Sequence, residues 1–351
     1  MRLKLNLMNE RIFSIDAFRG LAVLIMIIVD APPAERYAIL AHADWAGMTI
    51  ADLAFPAFVF VMGFSAAISN SRRPATYKKI FRRAVLLFLI GMIFNEKWHI
   101  FSYLLLENFT EENLYSGAVE HFRFFGVLQR LALNYFFGMM IAKLLDNDKK
   151  IFFTAFFLLM ASSIGFHIYS PENPFNKLDN VSRTVDLIFP GENHVYPYDD
   201  LNDPEGLYGT IASTASMLFG FLAGNIFLHN HEKNFQLMIF GTAIFIIGIG
   251  WSYFDIIAKK IWTAPFALIN AGVDAIFMSI FLRVEKLKNF LNPLAALGKS
   301  PLFFFVVSNV LIVFLIVSGF LHDAKIFCWI WAVFWIIIAV ILDKLGVVIK
   351  I

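Results

Sequence analysis

Residues 50–69 read IADLAFPAFVFVMGFSAAIS, twenty positions in which Asp52 is the one charged side chain. An α-helix rises about 1.5 Å per residue, so roughly 20 apolar residues cross the hydrocarbon core of a bilayer. The stretch therefore predicts a membrane-spanning helix. Asp52 falls in its first turn, where a carboxylate stabilises the positive end of the helix dipole.

Moving outward, the same test selects ten segments: 17–31, 50–69, 80–96, 124–145, 151–169, 207–228, 235–254, 262–283, 300–319 and 326–346. Segment 100–106 is too short to span and is expected at the interface. Ser14 is placed to cap the first span. Composition agrees: 59% of the 351 residues are hydrophobic and 16% charged, with a mean hydropathy of +0.69. Soluble domains run near a quarter charged. The expected fold class is all-α: one polytopic transmembrane bundle of about ten helices covering 1–351. Cys328, the single cysteine, excludes a disulfide framework or thiolate cluster within the chain. Nucleic acid is excluded as a partner, because the basic residues flank apolar spans instead of forming a stripe. The polar stretch Met1 to Arg11 does not lead into a small-residue cleavage site, so no cleavable signal is expected.

Lys and Arg favour cytoplasmic loops. With the N-terminus inside, most of the 29 basic residues fall inside, including Arg72, Arg73, Lys78, Lys79, Arg82 and Arg83. Arg36, Lys97, Arg123, Lys177, Arg183, Lys259, Lys260 and Lys325 fall outside. Both termini are thus expected in the cytoplasm. Two outer loops, 97–123 and 170–206, are long and acidic, and the prolines and aromatics of the second suggest a compact extracytoplasmic cap.

Ionisable residues within spans are costly and mark function or buried pairing. Arg19, Asp52, Arg130 and Asp274 lie within spans; Asp16 and Asp30 lie at the inner and outer ends of the first. Asp16 and Arg19, three apart, can pair. Arg130 needs a partner, for which Asp30 and Asp52 have suitable depth. Asp274, beside Asn270, suits an internal hydrogen-bond anchor. His42 lies in the outer connection between spans 1 and 2. No zinc-protease, nucleophile-elbow, phosphate-loop or dinucleotide pattern occurs, and His229-x-His231 is a weak metal signal. No metal is expected.

Six blocks carry a family resemblance: Arg11 to Gly20; His42 through Trp45, Gly47, Thr49 and Asp52 to Gly63; Gly126 to Arg130; Gly191 to Tyr196; Asp203 to Gly206; and Lys259 to Thr263. In this order they resemble the heparan-alpha-glucosaminide N-acetyltransferase family of transmembrane acyltransferases. The resemblance implies acetyl transfer from cytosolic acetyl-CoA to an amino sugar or glycan beyond the membrane, with His42 as the catalytic histidine. Many relatives carry Asn near the outer end of the first helix where this chain has Asp30, which bears on the acyl group or the acceptor. A bacterial inner-membrane member fits best, and a homodimer is left open.

Acyl transfer to an amine needs a base titrating near neutrality, which histidine supplies. His42 either deprotonates the amine or attacks the thioester and carries the acyl group. Asp30, Asp44 or Asp52 could orient it, so His42, Asp52 and Asp30 form the expected catalytic group. Gln129 and Arg130 could stabilise an oxyanion. Trp45, His194, Asp203, Glu205, Lys260 and Trp262 complete the expected substrate surface. Arg19, Arg82 and Arg83 are the expected contacts of acetyl-CoA. The rival readings are a secondary transporter of a sugar or anion, and an O-acyltransferase acting on a glycan hydroxyl.

Overall fold

The computed structural model describes residues 11–32, 37–106, 109–229, 232–283, 287–321 and 326–349. Arg36, His231 and Lys325, used above for charge and metal readings, lie outside these. Among the described residues there are helices and no strands. We number them α1 (Phe13–Val29), α2 (Ala51–Arg72), α3 (Tyr77–Asn95), α4 (Lys97–Leu105), α5 (Glu111–Tyr115), α6 (Val127–Leu145), α7 (Asp148–Tyr169), α8 (Val181–Asp186), α9 (Gly209–His229), α10 (Lys233–Trp251), α11 (Ala264–Arg283), α12 (Lys288–Lys299), α13 (Pro301–Val317) and α14 (Phe327–Lys344).

Each of the ten apolar segments contains a helix. Among the described residues six helices are individually long and apolar enough to cross a membrane, and up to eight spans result if two bent pairs each count as one. The pairs are α3 with α4, bent by 40°, and α12 with α13, bent by 76°. Hydropathy reading did not identify α12, since Lys288, Asn289, Asn292, Pro293 and Lys299 interrupt its apolar face. That face, Leu291 with Ala295 to Gly298, is buried.

Close backbone approach holds the centre together. A Cβ on Gly63 of α2 would lie 2.0 Å from the Met217 carbonyl oxygen of α9, and one on Gly220 equally close to that of Phe60. Gly20 of α1 and Gly298 of α12 meet in the same way. Small residues at such crossings let helices pack where lipid removes the hydrophobic drive to associate. Accordingly α2, α9 and α11 are the most buried of the long helices, while α7, α10 and α14 present much of their apolar surface outward.

Two expectations are corrected. α1 begins at Phe13 after Ile12, so Ser14 is already inside the helix and its hydroxyl, buried without a partner, caps nothing. Asp274 is no hydrogen-bond anchor through Oδ2, which is buried without a partner; Asn270 gives its amide to the Phe266 carbonyl and Met48 sulfur. Asp16 and Arg19 do pair, at 3.0 Å, and Arg19 also reaches Gly298 O and Ser65 Oγ.

Candidate active site

The 41–50 connection is ordered from both ends. Thr49 Oγ1 donates to Ala41 O at 2.8 Å, and Gly47, with a φ of 103° that favours glycine, donates its N–H to Ile257 O at 2.7 Å. Trp45 donates its indole N–H to Phe175 O, tying the connection to the 170–206 loop. These contacts seat the turn over the N-terminus of α2.

Asp52 is fully buried there and accepts from Thr49 N at 3.0 Å and Ala43 N at 3.1 Å, through Oδ2. Its Oδ1 lies 2.8 Å from His42 Nδ1. An ionised carboxylate can only accept, so His42 Nδ1 is the donor in this pair, and in the neutral ring Nε2 then holds the lone pair. The His42 side chain is 44% exposed, which leaves it open to a substrate. Asp44 does not orient it: that side chain is 93% exposed and reaches Lys177 at 3.9 Å.

Lys259 completes the group. Its Nζ lies 3.4 Å from Asp52 Oδ1, 2.9 Å from His42 Nδ1 and 3.3 Å from His42 Nε2. Burial holds its pKa below the ordinary lysine range, against the opposing pull of Asp52. The 255–263 loop that carries it is pinned at its start by Asp255, which accepts from Ser163 Oγ at 2.6 Å and Trp251 Nε1 at 3.1 Å and contacts His167 Nε2 at 2.9 Å. At its end Trp262 adopts a left-handed φ of 47°, held by complete burial between Phe55 and Phe266. The sequence reading chose Lys260 instead, but Lys260 is spent on Asp199 at 2.7 Å. Nothing in the local spacing distinguishes two adjacent lysines.

A cavity of about 270 Å³ opens beside His42. Its charged lining is Asp30, Lys97, Arg123, Glu205 and Lys259, with Asn95, Asn309 and Tyr196 among the polar groups. Arg123 crosses its wall, reaching Asp203 at 2.5 Å and Glu205 at 2.6 Å, and lies over the Tyr196 ring. Burial opposes the Arg123 charge, yet the two carboxylates outweigh it and raise its pKa.

Of the expected residues, His42, Asp30 and Glu205 line this cavity, with Asp52 and Asp203 directly behind. Others do not line it. Gln129 is buried toward Gly91 of α3, with neither amide atom partnered. Arg130 is buried; it donates to Gly206 O at 2.5 Å and faces the Trp262 ring, so its partner is neither Asp30 nor Asp52. Trp262 gives its indole N–H to Ser216. His194 stacks on Phe122 and bonds its carbonyl. Arg130, Trp262 and His194 support the wall, because each already has a polar or aromatic partner inside the protein. A second cavity, about 630 Å³, lies at the opposite ends of the helices, lined by Asn70, Asp146, Asp148, Asn225 and His229. Arg19, Arg82 and Arg83 line neither, and Arg83 stacks on Tyr135. Among the described residues no group of His, Cys, Asp and Glu could hold a metal.

Apolar helices of membrane-crossing length, with a buried carboxylate holding a half-exposed imidazole at a polar cavity, define an integral membrane protein with a histidine–carboxylate pair at one end of its bundle. Comparison of sequences then narrows the class. Residues 11–175, which hold the first three of the six blocks, match the family described as heparan-alpha-glucosaminide N-acetyltransferase, catalytic, so the resemblance to that family is borne out. The human heparan-alpha-glucosaminide N-acetyltransferase is 27% identical over an alignment covering 68% of this chain and 42% of that protein. The mouse protein is 26% identical, over 64% of this chain and 40% of its own length. The chain thus spans about four tenths of the length of these curated relatives.

Proposed function

We propose that this protein transfers an acetyl group from acetyl-CoA to the amine of an extracytoplasmic amino sugar or glycan. The observation that carries the reading is the His42–Asp52 contact of 2.8 Å at the mouth of the polar cavity. The names and matches of the relatives support the same chemistry.

In this reading the acceptor ammonium first loses one proton to solvent. The neutral nitrogen attacks the thioester carbonyl carbon and passes its second proton to His42 Nε2. The C–N bond forms, the C–S bond breaks, and the imidazolium returns that proton to the departing thiolate. Asp52 holds the tautomer this requires and stabilises the imidazolium. Lys259 adds a positive charge beside the ring, where an oxyanion developing on the carbonyl gains most. In the alternative order, His42 Nε2 attacks first and an acyl-imidazole acetylates the amine in a second step.

The charge pattern supports ten spans with both termini cytoplasmic, as in a bacterial inner membrane, so that acetyl-CoA is met from the inside near Arg19, Arg82 and Arg83. Purified protein and its His42→Ala variant, incubated with radiolabelled acetyl-CoA with and without glucosamine, test the reading. Label is expected on the amine with the wild type alone. Transfer that survives in the variant would remove His42 from the chemistry. No transfer to any amino sugar would overturn the transferase reading.

A further inference from the structure

Asp30 sits at the C-terminal cap of α1, with φ of −77° and ψ of −10°. A carboxylate there is the wrong sign for the helix dipole, whose C-terminal end is negative. The dipole of α1 therefore gives its charge no support. Among the described residues the one hydrogen bond to its carboxylate comes from Asn309 Nδ2 to Oδ2, at 2.8 Å, and its side chain lines the cavity.

The ionisable groups that line the cavity with Asp30 include His42, Lys97, Arg123, Glu205 and Lys259. Each is engaged elsewhere. Lys259 is held by Asp52 and His42, and Glu205 by Arg123. Lys97 donates to Phe94 O and lies over the Phe94 ring. Among the described residues Asp30 is the one carboxylate of the cavity with no cation in contact. Counting Asp30, Asp52, Asp203 and Glu205 against Lys97, Arg123 and Lys259 leaves the site one negative charge when His42 is neutral.

We propose that Asp30 is the residue that selects a cationic amine: the unpaired carboxylate receives the ammonium of a small amino sugar and presents its nitrogen to His42. This rests on the transferase reading above and adds to it the group that tells an amine from a hydroxyl. The volume, about 270 Å³, is near the lower end of small-molecule sites and suits one sugar residue. A charge-assisted hydrogen bond is stronger than a neutral one, and an uncharged hydroxyl would leave the carboxylate without its counter-ion.

The test has two arms. In the first, thermal protection of purified wild-type protein is measured with glucosamine and with glucose, which differ at the amine. Glucosamine is expected to protect and glucose not to; equal protection, or none from either, overturns the proposal. In the second, acetyl transfer is measured in wild type and in Asp30→Asn, which keeps the shape and can still accept from Asn309. The glucosamine KM is expected to rise about tenfold or more with the acetyl-CoA KM unchanged. An unchanged glucosamine KM overturns the proposal even if the wild type is an active transferase. Amine-selective protection that Asp30→Asn abolishes, in a protein that transfers nothing, would uphold the amine site while sinking the transferase reading.

Discussion

Lys259 and Asp52 meet at 3.4 Å, on the same carboxylate oxygen that His42 contacts at 2.8 Å. One buried anion thus serves an imidazole and an ammonium together. The ammonium offsets the carboxylate charge and also lies 3.3 Å from His42 Nε2, the ring nitrogen that the Asp52 contact leaves free of its proton. Replacing Lys259 by Met should leave the carboxylate to the imidazole alone and remove the positive charge beside the reacting carbonyl. Loss of one such stabilising group costs about a hundredfold or more in kcat. Steady-state acetyl transfer checks this, and a kcat within a few-fold of wild type would assign Lys259 a purely structural part.

Asp52→Asn should also lower kcat by about a hundredfold or more, since an amide does not stabilise the imidazolium. Because Asp52 does not line the cavity, the KM for the amine should change little. Initial rates at varied glucosamine separate the two. A raised KM with intact kcat would contradict the role given to the carboxylate.

Arg123 bridges Asp203 and Glu205 across the cavity wall, and Asp203 has no exposed side chain. Arg123→Leu removes the cation and leaves two carboxylates together. Breaking a buried pair in this way costs about 3–5 kcal/mol. The thermal midpoint in detergent should fall by many degrees, and by much less in Glu205→Gln, where Asp203 keeps its partner.

Asp186, in the 170–206 loop, accepts Leu207 N through Oδ1, while Oδ2 has no partner. Burial, reinforced by Asp203, pushes its pKa up to about 7. A carboxyl with a raised folded-state pKa binds more protons folded than unfolded between about pH 4 and pH 7. Stability from this group is therefore present below pH 4 and lost as pH rises through 7. Asp186→Asn should melt higher than wild type at pH 8, with the difference vanishing near pH 4. A variant less stable at pH 8 would show that the charged form is favoured in the fold.

Gly63→Ala places a methyl group 2.0 Å from the Met217 carbonyl, so α2 and α9 must separate. Overpacking of this kind costs about 1–3 kcal/mol. At Gly250, near the end of α10, an added Cβ meets nothing within 4 Å, so Gly250→Ala should be neutral or slightly stabilising. Thermal midpoints of the two variants, compared with wild type, test whether close approach is what Gly63 supplies.

The sequence by itself determined the membrane class, because hydropathy over twenty residues is a local property that the helix pitch converts directly into a span. It also placed His42 and Asp52 in one block ten residues apart, close enough that a single turn over the N-terminus of α2 joins them. The tertiary structure alone decided the rest. Lys259 is 217 residues from His42 and reaches it only because Gly47 docks on Ile257. Asn309 reaches Asp30 across a separation of 279 residues. Arg130 faces Gly206 and Trp262 because α6 turns that side of itself toward those residues, a rotation that depth along a span does not reveal. Helix α12, too polar to stand out by hydropathy, is fixed by backbone contact between Gly20 and Gly298. Local composition sets which segments become helices; which faces of distant helices meet depends on packing among all of them at once.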